Sequence, residues 1–366
     1  MKLLWLFALL CIPKHSRSLQ MRRLRTIGGV NVCQSSALRA VPLPFDNLDS
    51  CAQSLVTTLD LTAQVGGGID MKYAFMFPTA IAVSTLAISA GIGGAALFAP
   101  ILLILFPMLG PDYPLESASA SVATAILVET FGFTSGCIGY VRRNLVDFDI
   151  AWKFSIISVP VAILSAKYLA LDPVALKVLY STLMLALSVY FLLGGTTEEE
   201  VSVARDASDC TIEPVESCVS RFDTDDNEYR YDVRSVMTEF GGLATVLGGG
   251  LTGVLGVGVG EVVLPQLLRR GVPVPVAAAS STLCVTATAL SSATIQISTL
   301  VGNPEGGIEA VPWNLIQFMI PGVLIGGQIA SKLQGKVPKE RLEVAVGTLF
   351  FVIGASFALI TYFQTH

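Results

Sequence analysis

Histidine is almost missing from this chain. The only two are His15 and the last residue, His366. A histidine-ligated metal centre or a Ser-His-Asp triad inside the body of the protein is therefore excluded by inventory. Charge is scarce too: 14% of residues are charged, against roughly a quarter in soluble domains. No basic stripe runs through the body and the net charge is −5, which argues against nucleic acid as a partner. The seven cysteines include no CxxC pair. Cys210 and Cys218 are close enough to bridge, although two reduced thiols are the simpler expectation, and Cys137 and Cys284 lie in apolar segments as small hydrophobes. These absences leave little with which to build an enzyme, and no cofactor is expected.

Apolar residues are plentiful instead. They make up 52% of the chain, with a mean hydropathy of +0.67. The 33 glycines and 18 prolines suit membrane helices, which tolerate both better than soluble helices do. The expected fold class is an all-α polytopic membrane protein with lipid as its surroundings.

Residues 1–45 read as a targeting region. Lys2 precedes an apolar run, Leu3 to Ile12, too short to span a bilayer but suited to a signal core. Arg22, Arg23, Arg25 and Arg39 follow among serines, and no acid appears before Asp46, as in an organelle transit peptide. Two locations stay open: an organelle membrane of plastid type, or the plasma and endomembrane system. Residues 46–73 form a polar pre-membrane segment.

Apolar segments then fall into two sets, 74–193 and 236–363, separated by an acidic hydrophilic linker at 194–235 that reads as a solvated, flexible connector. The sets share landmarks in the same order. Gly91-Ile92-Gly93 precedes Pro100, and Gly256-Val257-Gly258 precedes Pro265, each proline nine residues after the first glycine. Trp152 and Pro160 parallel Trp313 and Pro321 at a constant offset of 161 residues. Two homologous repeats are the expectation, each with a glycine-broken first helix. If that broken segment re-enters or crosses twice, Arg142, Arg143, Arg269, Arg270, Lys332, Lys336, Lys339 and Arg341 share one face with the linker. The positive-inside rule then favours inverted repeats. Lys72, Lys167 and Lys177 fall on the other side.

A helix broken within lipid is permitted where its freed backbone is buried in protein or lines a wet cavity. Helices restarting after Gly94 and Gly260 would aim unpaired N–H groups and a positive dipole end at mid-membrane, an arrangement suited to an anion. The substrate-binding candidates are Gly91, Gly93, Gly94, Gly256, Gly258 and Gly260, with the hydroxyl residues Ser121, Ser281 and Thr282. The competing reading is that the glycines merely let helices pack closely. Glu129 and Glu261 are carboxylates placed in apolar segments, where function is the default expectation, and a coupling role through protons fits both. Gln266 and Gln296 read as interhelical hydrogen-bonding residues.

Three stretches carry a family resemblance. They are Ser89-Ala90-Gly91-Ile92-Gly93-Gly94 with Pro100, Gly248 to Gly258 with Pro265, and Arg269-Arg270-Gly271-Val272-Pro273 running into Ala277 to Thr282. Together with Tyr140 to Asp147 followed by Trp152, they resemble the TauE/SafE sulfite exporter family over residues 74 to 363. The resemblance implies a polytopic transporter of sulfur-containing anions such as sulfite and sulfonates. The chain departs from that pattern in Gly93-Gly94-Ala95, in Val259, in the acid Glu261, and in the length of the linker. Two other classes stay in view: a non-transporting sensor or assembly factor acting through the linker, and a passive anion channel. The oligomeric state is not legible.

Overall fold

The computed structural model describes residues 71–110, 118–169, 171–193, 218–224, 227–232, 239–302, 311–334 and 339–365. The expected targeting region, most of the pre-membrane segment and Cys210 lie outside these residues. The described residues form ten α-helices and one β-hairpin. The first five helices are α1 (Met76–Ala90), α2 (Ala95–Leu109), α3 (Ala118–Arg142), α4 (Phe148–Tyr168) and α5 (Pro173–Leu192). The hairpin pairs β1 (Cys218–Phe222) with β2 (Glu228–Asp232). After it come α6 (Glu239–Leu255), α7 (Val259–Leu268), α8 (Val274–Val301), α9 (Trp313–Leu333) and α10 (Lys339–Thr365).

Among the described residues, six helical stretches are long and apolar enough to cross a membrane. Helix α7 is not: ten residues rise only about 15 Å, half of a ~30 Å hydrocarbon core. Both glycine-rich segments break, between α1 and α2 and between α6 and α7; α2 restarts after Gly94 as expected, whereas α7 restarts at Val259, after Gly258, and takes Gly260 into its first turn. Pro100 sits inside α2, and the turn after it widens to π geometry over Ile101–Leu105. A proline donates no hydrogen bond and crowds the carbonyl four residues back, so the helix loosens there.

Helix α1 packs on α9 and α6 packs on α4; α3 packs on α9 and α8 packs on α4; α5 pairs with α10 and α3 with α8. Exchanging the first five helices for the last five turns each of these contacts into another of the same set. Glycine permits several of them. A Cβ on Gly249 would lie 2.9 Å from the Ser158 carbonyl oxygen, and one on Gly326 would lie 2.7 Å from that of Ile81. Close packing thus accounts for glycines within helices, whereas those at the breaks do something else.

The linker departs from the expectation of a solvated connector. Its β-hairpin lies against the turn between α3 and α4. Tyr231 is fully buried, and its hydroxyl donates to Asp147 Oδ2 at 2.6 Å. Arg221 donates to the Val146 carbonyl and sits 3.8 Å from Asp147 Oδ2. Arg143 approaches Asp223 Oδ2 at 3.8 Å, and Asn144 donates to the Phe222 carbonyl. Alternating Tyr229-Arg230-Tyr231 gives β2 one aromatic face, and Asp223 closes the hairpin by accepting from the Asn227 N–H. A strand with a buried aromatic face is held by that burial, which the acidic composition of the linker concealed.

Candidate functional site

The first break begins at Gly91, where φ is +68°, a left-handed conformation that costs other residues roughly 1–2 kcal/mol. Gly91 and Ile92 donate to the carbonyls of Ile88 and Ala87, which closes α1 with a Schellman motif. The second break turns at Gly256 (φ +78°) and Gly258 (φ +145°). The two breaks touch. A Cβ on Gly256 would meet the Ala95 Cβ at 2.7 Å, and one on Gly260 would meet the Gly91 carbonyl oxygen at 3.0 Å and the Gly93 nitrogen at 3.3 Å.

Both carboxylates lie at this contact. Glu261 is 6% exposed and Glu129 is 1% exposed. Glu261 Oε1 accepts from the Gly93 N–H at 2.9 Å, and its Oε2 accepts from the Gly258 N–H at 2.9 Å. One carboxylate therefore bridges the two breaks. The bond to Gly258 is half of a capping box, with the acid at the third helical position of α7. Glu129 reaches over from α3, and its Oε1 accepts from the Gly94 N–H at 2.7 Å. The Ala95 N–H also faces it. The N–H groups that the sequence reading expected to be unpaired are thus held by the two acids. At the second break, Val259 N–H is taken by Thr252 Oγ1 at 3.0 Å.

Gly93 sits between the acids. A Cβ there would lie 3.2 Å from Glu261 Oε1 and 3.3 Å from Glu129 Oε1, so a side chain at this position would displace them. Neither acid has an ion-pair partner among the described residues, and Glu129 Oε2 is buried with no hydrogen bond. Two further buried hydroxyls, Ser89 Oγ and Thr124 Oγ1, also have no partner. An unsatisfied buried acceptor costs free energy, which makes the free oxygen of Glu129 a costly feature of the contact between the breaks.

Of the sequence candidates, Gly91, Gly93, Gly94, Gly256, Gly258 and Gly260 are brought together with Glu129 and Glu261. Ser281 joins them, its Oγ 3.5 Å from a Cβ built on Gly91, while bonding the Ala278 carbonyl of its own helix. Thr282 also bonds Ala278, and Ser121 is buried on α3. Gln296 does bind across helices, donating to the Gly253 carbonyl, but the Gln266 amide has no partner. Sequence reading missed Tyr180 on α5, fully buried, whose hydroxyl donates to the Ala95 carbonyl at 2.8 Å. A tyrosine midway along an apolar helix was the available signal.

Paired broken helices meeting around buried acids, within a bundle of apolar helices, define a multi-pass membrane protein. The comparisons with known proteins agree. Residues 76–357 match the family model described as "Sulfite exporter TauE/SafE". The chain belongs to that family. It is also similar to a probable membrane transporter protein of Methanocaldococcus jannaschii, 26% identical over 277 residues that cover 72% of this chain and 87% of the relative. No solved structure matches. Family and relative place the chain among membrane transporters.

Proposed function

We propose that this protein is a secondary carrier of small anions, sulfur-containing ones such as sulfite and sulfonates first among them. It works by alternating access between two inverted repeats and is coupled to protons through Glu129 and Glu261. The observation that carries this reading is the meeting of both glycine breaks at Gly93, where backbone N–H groups already hold anionic oxygens. Such donors at the starts of half-helices suit an anion, and discontinuous helices at a repeat interface are where secondary carriers place their substrates.

Three further features support it. The helix contacts are unchanged in kind when the halves are exchanged, as a two-fold repeat requires. Arg143 reaches the linker hairpin and also the Ser331 and Gln334 carbonyls at the end of α9, which carries Lys332. These basic residues and the linker thus share one end of the bundle, as the inverted scheme needs. The family is named for sulfite export.

The test is flux in proteoliposomes of sulfite, sulfate, taurine and sulfoacetate, with and without a pH gradient. Saturable flux that rises with the gradient is the expected result. Flux linear in concentration marks a channel. The docked hairpin favours one other reading, a sensor or assembly factor, for which deleting 218–232 abolishes function while no anion moves.

A further inference from the structure

The first break is capped in an unusual way. Helix starts are ordinarily capped by a side chain from the local chain, as Thr252 and Glu261 do for the second break. At the first break the Gly93 and Gly94 N–H groups instead draw carboxylates from Glu261, 168 residues away, and Glu129, 35 residues away. Three carboxylate oxygens meet the Gly93, Gly94 and Gly258 N–H groups across the two breaks, no basic side chain among the described residues pairs with either acid, and the fourth oxygen is unpartnered. Glycine at 93 keeps the space beside these oxygens clear of any Cβ.

We propose that Glu261 and Glu129 are built-in stand-ins for the transported anion: their oxygens occupy the Gly93, Gly94 and Gly258 N–H groups that an entering oxyanion takes over as the carboxylates withdraw. This rests on the carrier reading above. The ligand class follows from the donors: an anion with at least two oxygens on one atom, able to span Gly93 and Gly94 as the acids do. Entry of an anion beside two ionised acids would set like charges together in a low-dielectric interior. The displaced acid therefore leaves protonated. The anion enters, a carboxylate takes up one proton from the solution on that side, and the proton returns when the anion departs and the carboxylate closes back on the N–H group. The titratable groups facing this pair are each other and Tyr180, whose hydroxyl is held by Ala95. Bridging by Glu261 also ties α7 to the first break, so its release loosens the contact between halves at the moment the anion is bound.

The experiment is direct binding to the full chain in lipid nanodiscs. Methanesulfonate is the probe, because its charge does not change between pH 5 and pH 8. The wild-type protein is expected to bind about tenfold more weakly per pH unit across the range in which the acids titrate, the slope of one proton. It should also take up protons from a weakly buffered medium when the probe is added. In E261Q and E129Q the affinity at pH 8 is expected to rise about tenfold, and in the double variant both the pH slope and the proton uptake vanish. Glu129, with one oxygen unpartnered, is the substitution that least disturbs the fold, so E129Q carries the test if E261Q does not fold. Weaker binding in E129Q with an undiminished pH slope overturns the stand-in role while leaving the carrier intact. No binding by the wild type at any pH overturns the carrier reading as well.

Discussion

The Tyr231 hydroxyl donates to Asp147 Oδ2 at 2.6 Å, while Asp147 Oδ1 accepts from the Asp149 and Ile150 N–H groups at the start of α4. One carboxylate thus caps a membrane helix and anchors the linker hairpin. Its own N–H donates to Ser280 Oγ on α8, so the turn also touches the second set of helices.

Replacing Tyr231 with Phe leaves Asp147 Oδ2 short of a charge-assisted bond worth roughly 1.5–3 kcal/mol. Hydrogen exchange is expected to quicken in 219–222 and 228–231 and to change little in α5. Burial and then the Asp147 carboxylate push the Tyr231 phenol well above the usual tyrosine value. A raised value means the docking energy is fully present below the ordinary pKa near 10 and fades as pH climbs toward the folded one. Hairpin protection, corrected for intrinsic exchange, should therefore be flat between pH 6 and pH 9. Phenolate absorbance of Tyr231 should lag that of exposed tyrosines.

Gly256→Ala is expected to be worse than Gly91→Ala. Both positions have positive φ, costing roughly 1–2 kcal/mol for any Cβ. At Gly91 the new methyl meets Leu264 Cδ2 at 2.9 Å, the mobile end of a side chain, whereas at Gly256 it meets Ile126 Cγ1 at 2.5 Å and the Ala95 Cβ at 2.7 Å. The latter cannot move without its helix, which adds about 1–3 kcal/mol of overpacking. Thermal unfolding in detergent should rank the two variants in that order.

Tyr180→Phe removes the bond to the Ala95 carbonyl and little else, at a cost of about 1 kcal/mol. Because Ala95 opens α2 beside Gly94, we expect a small drop in melting temperature together with a change in anion affinity. A stability loss with unaltered affinity would make Tyr180 a core residue only.

Gly327→Ala separates packing glycines from those at the breaks. Its Cβ would meet the Gly132 carbonyl oxygen at 2.5 Å and the Gly136 nitrogen at 2.8 Å, both backbone atoms of α3. Helices α3 and α9 must part to admit it, so low yield of folded protein is expected. Wild-type-like yield would show that this interface can shift.

Most helices were legible because apolar runs between polar or glycine-proline stretches were long enough to cross a bilayer. Val274–Val301 was read to the residue. The breaks were legible because glycine pairs followed by proline mark where a helix stops and restarts. Glu129 and Glu261 stood out because acids are rare in apolar segments. Which donors they bind was not legible. The sequence places Glu129 and Gly94 in different helices, and only packing of α2 against α3 makes them partners. The hairpin was missed for another reason: the signal in Tyr229 and Tyr231 is two residues long and lies among acids. Thr282 and Ser121 were proposed as hydroxyl residues in matching segments near the breaks, and Thr282 bonds the backbone of its own helix, as helical hydroxyls commonly do.

The docked hairpin sets the length of a leash. By chain length alone, the connector between α5 and α6 would let the start of α6 lie far from the end of α5. Fixing Asp232 at the end of a strand seated on the α3–α4 turn leaves only residues 233–238 before Glu239 begins α6. Seven backbone steps reach about 25 Å when fully stretched. Any rocking of α6 relative to that turn is confined within this radius for as long as Tyr231 stays seated, and undocking the hairpin lengthens the slack several-fold without breaking a bond in the chain.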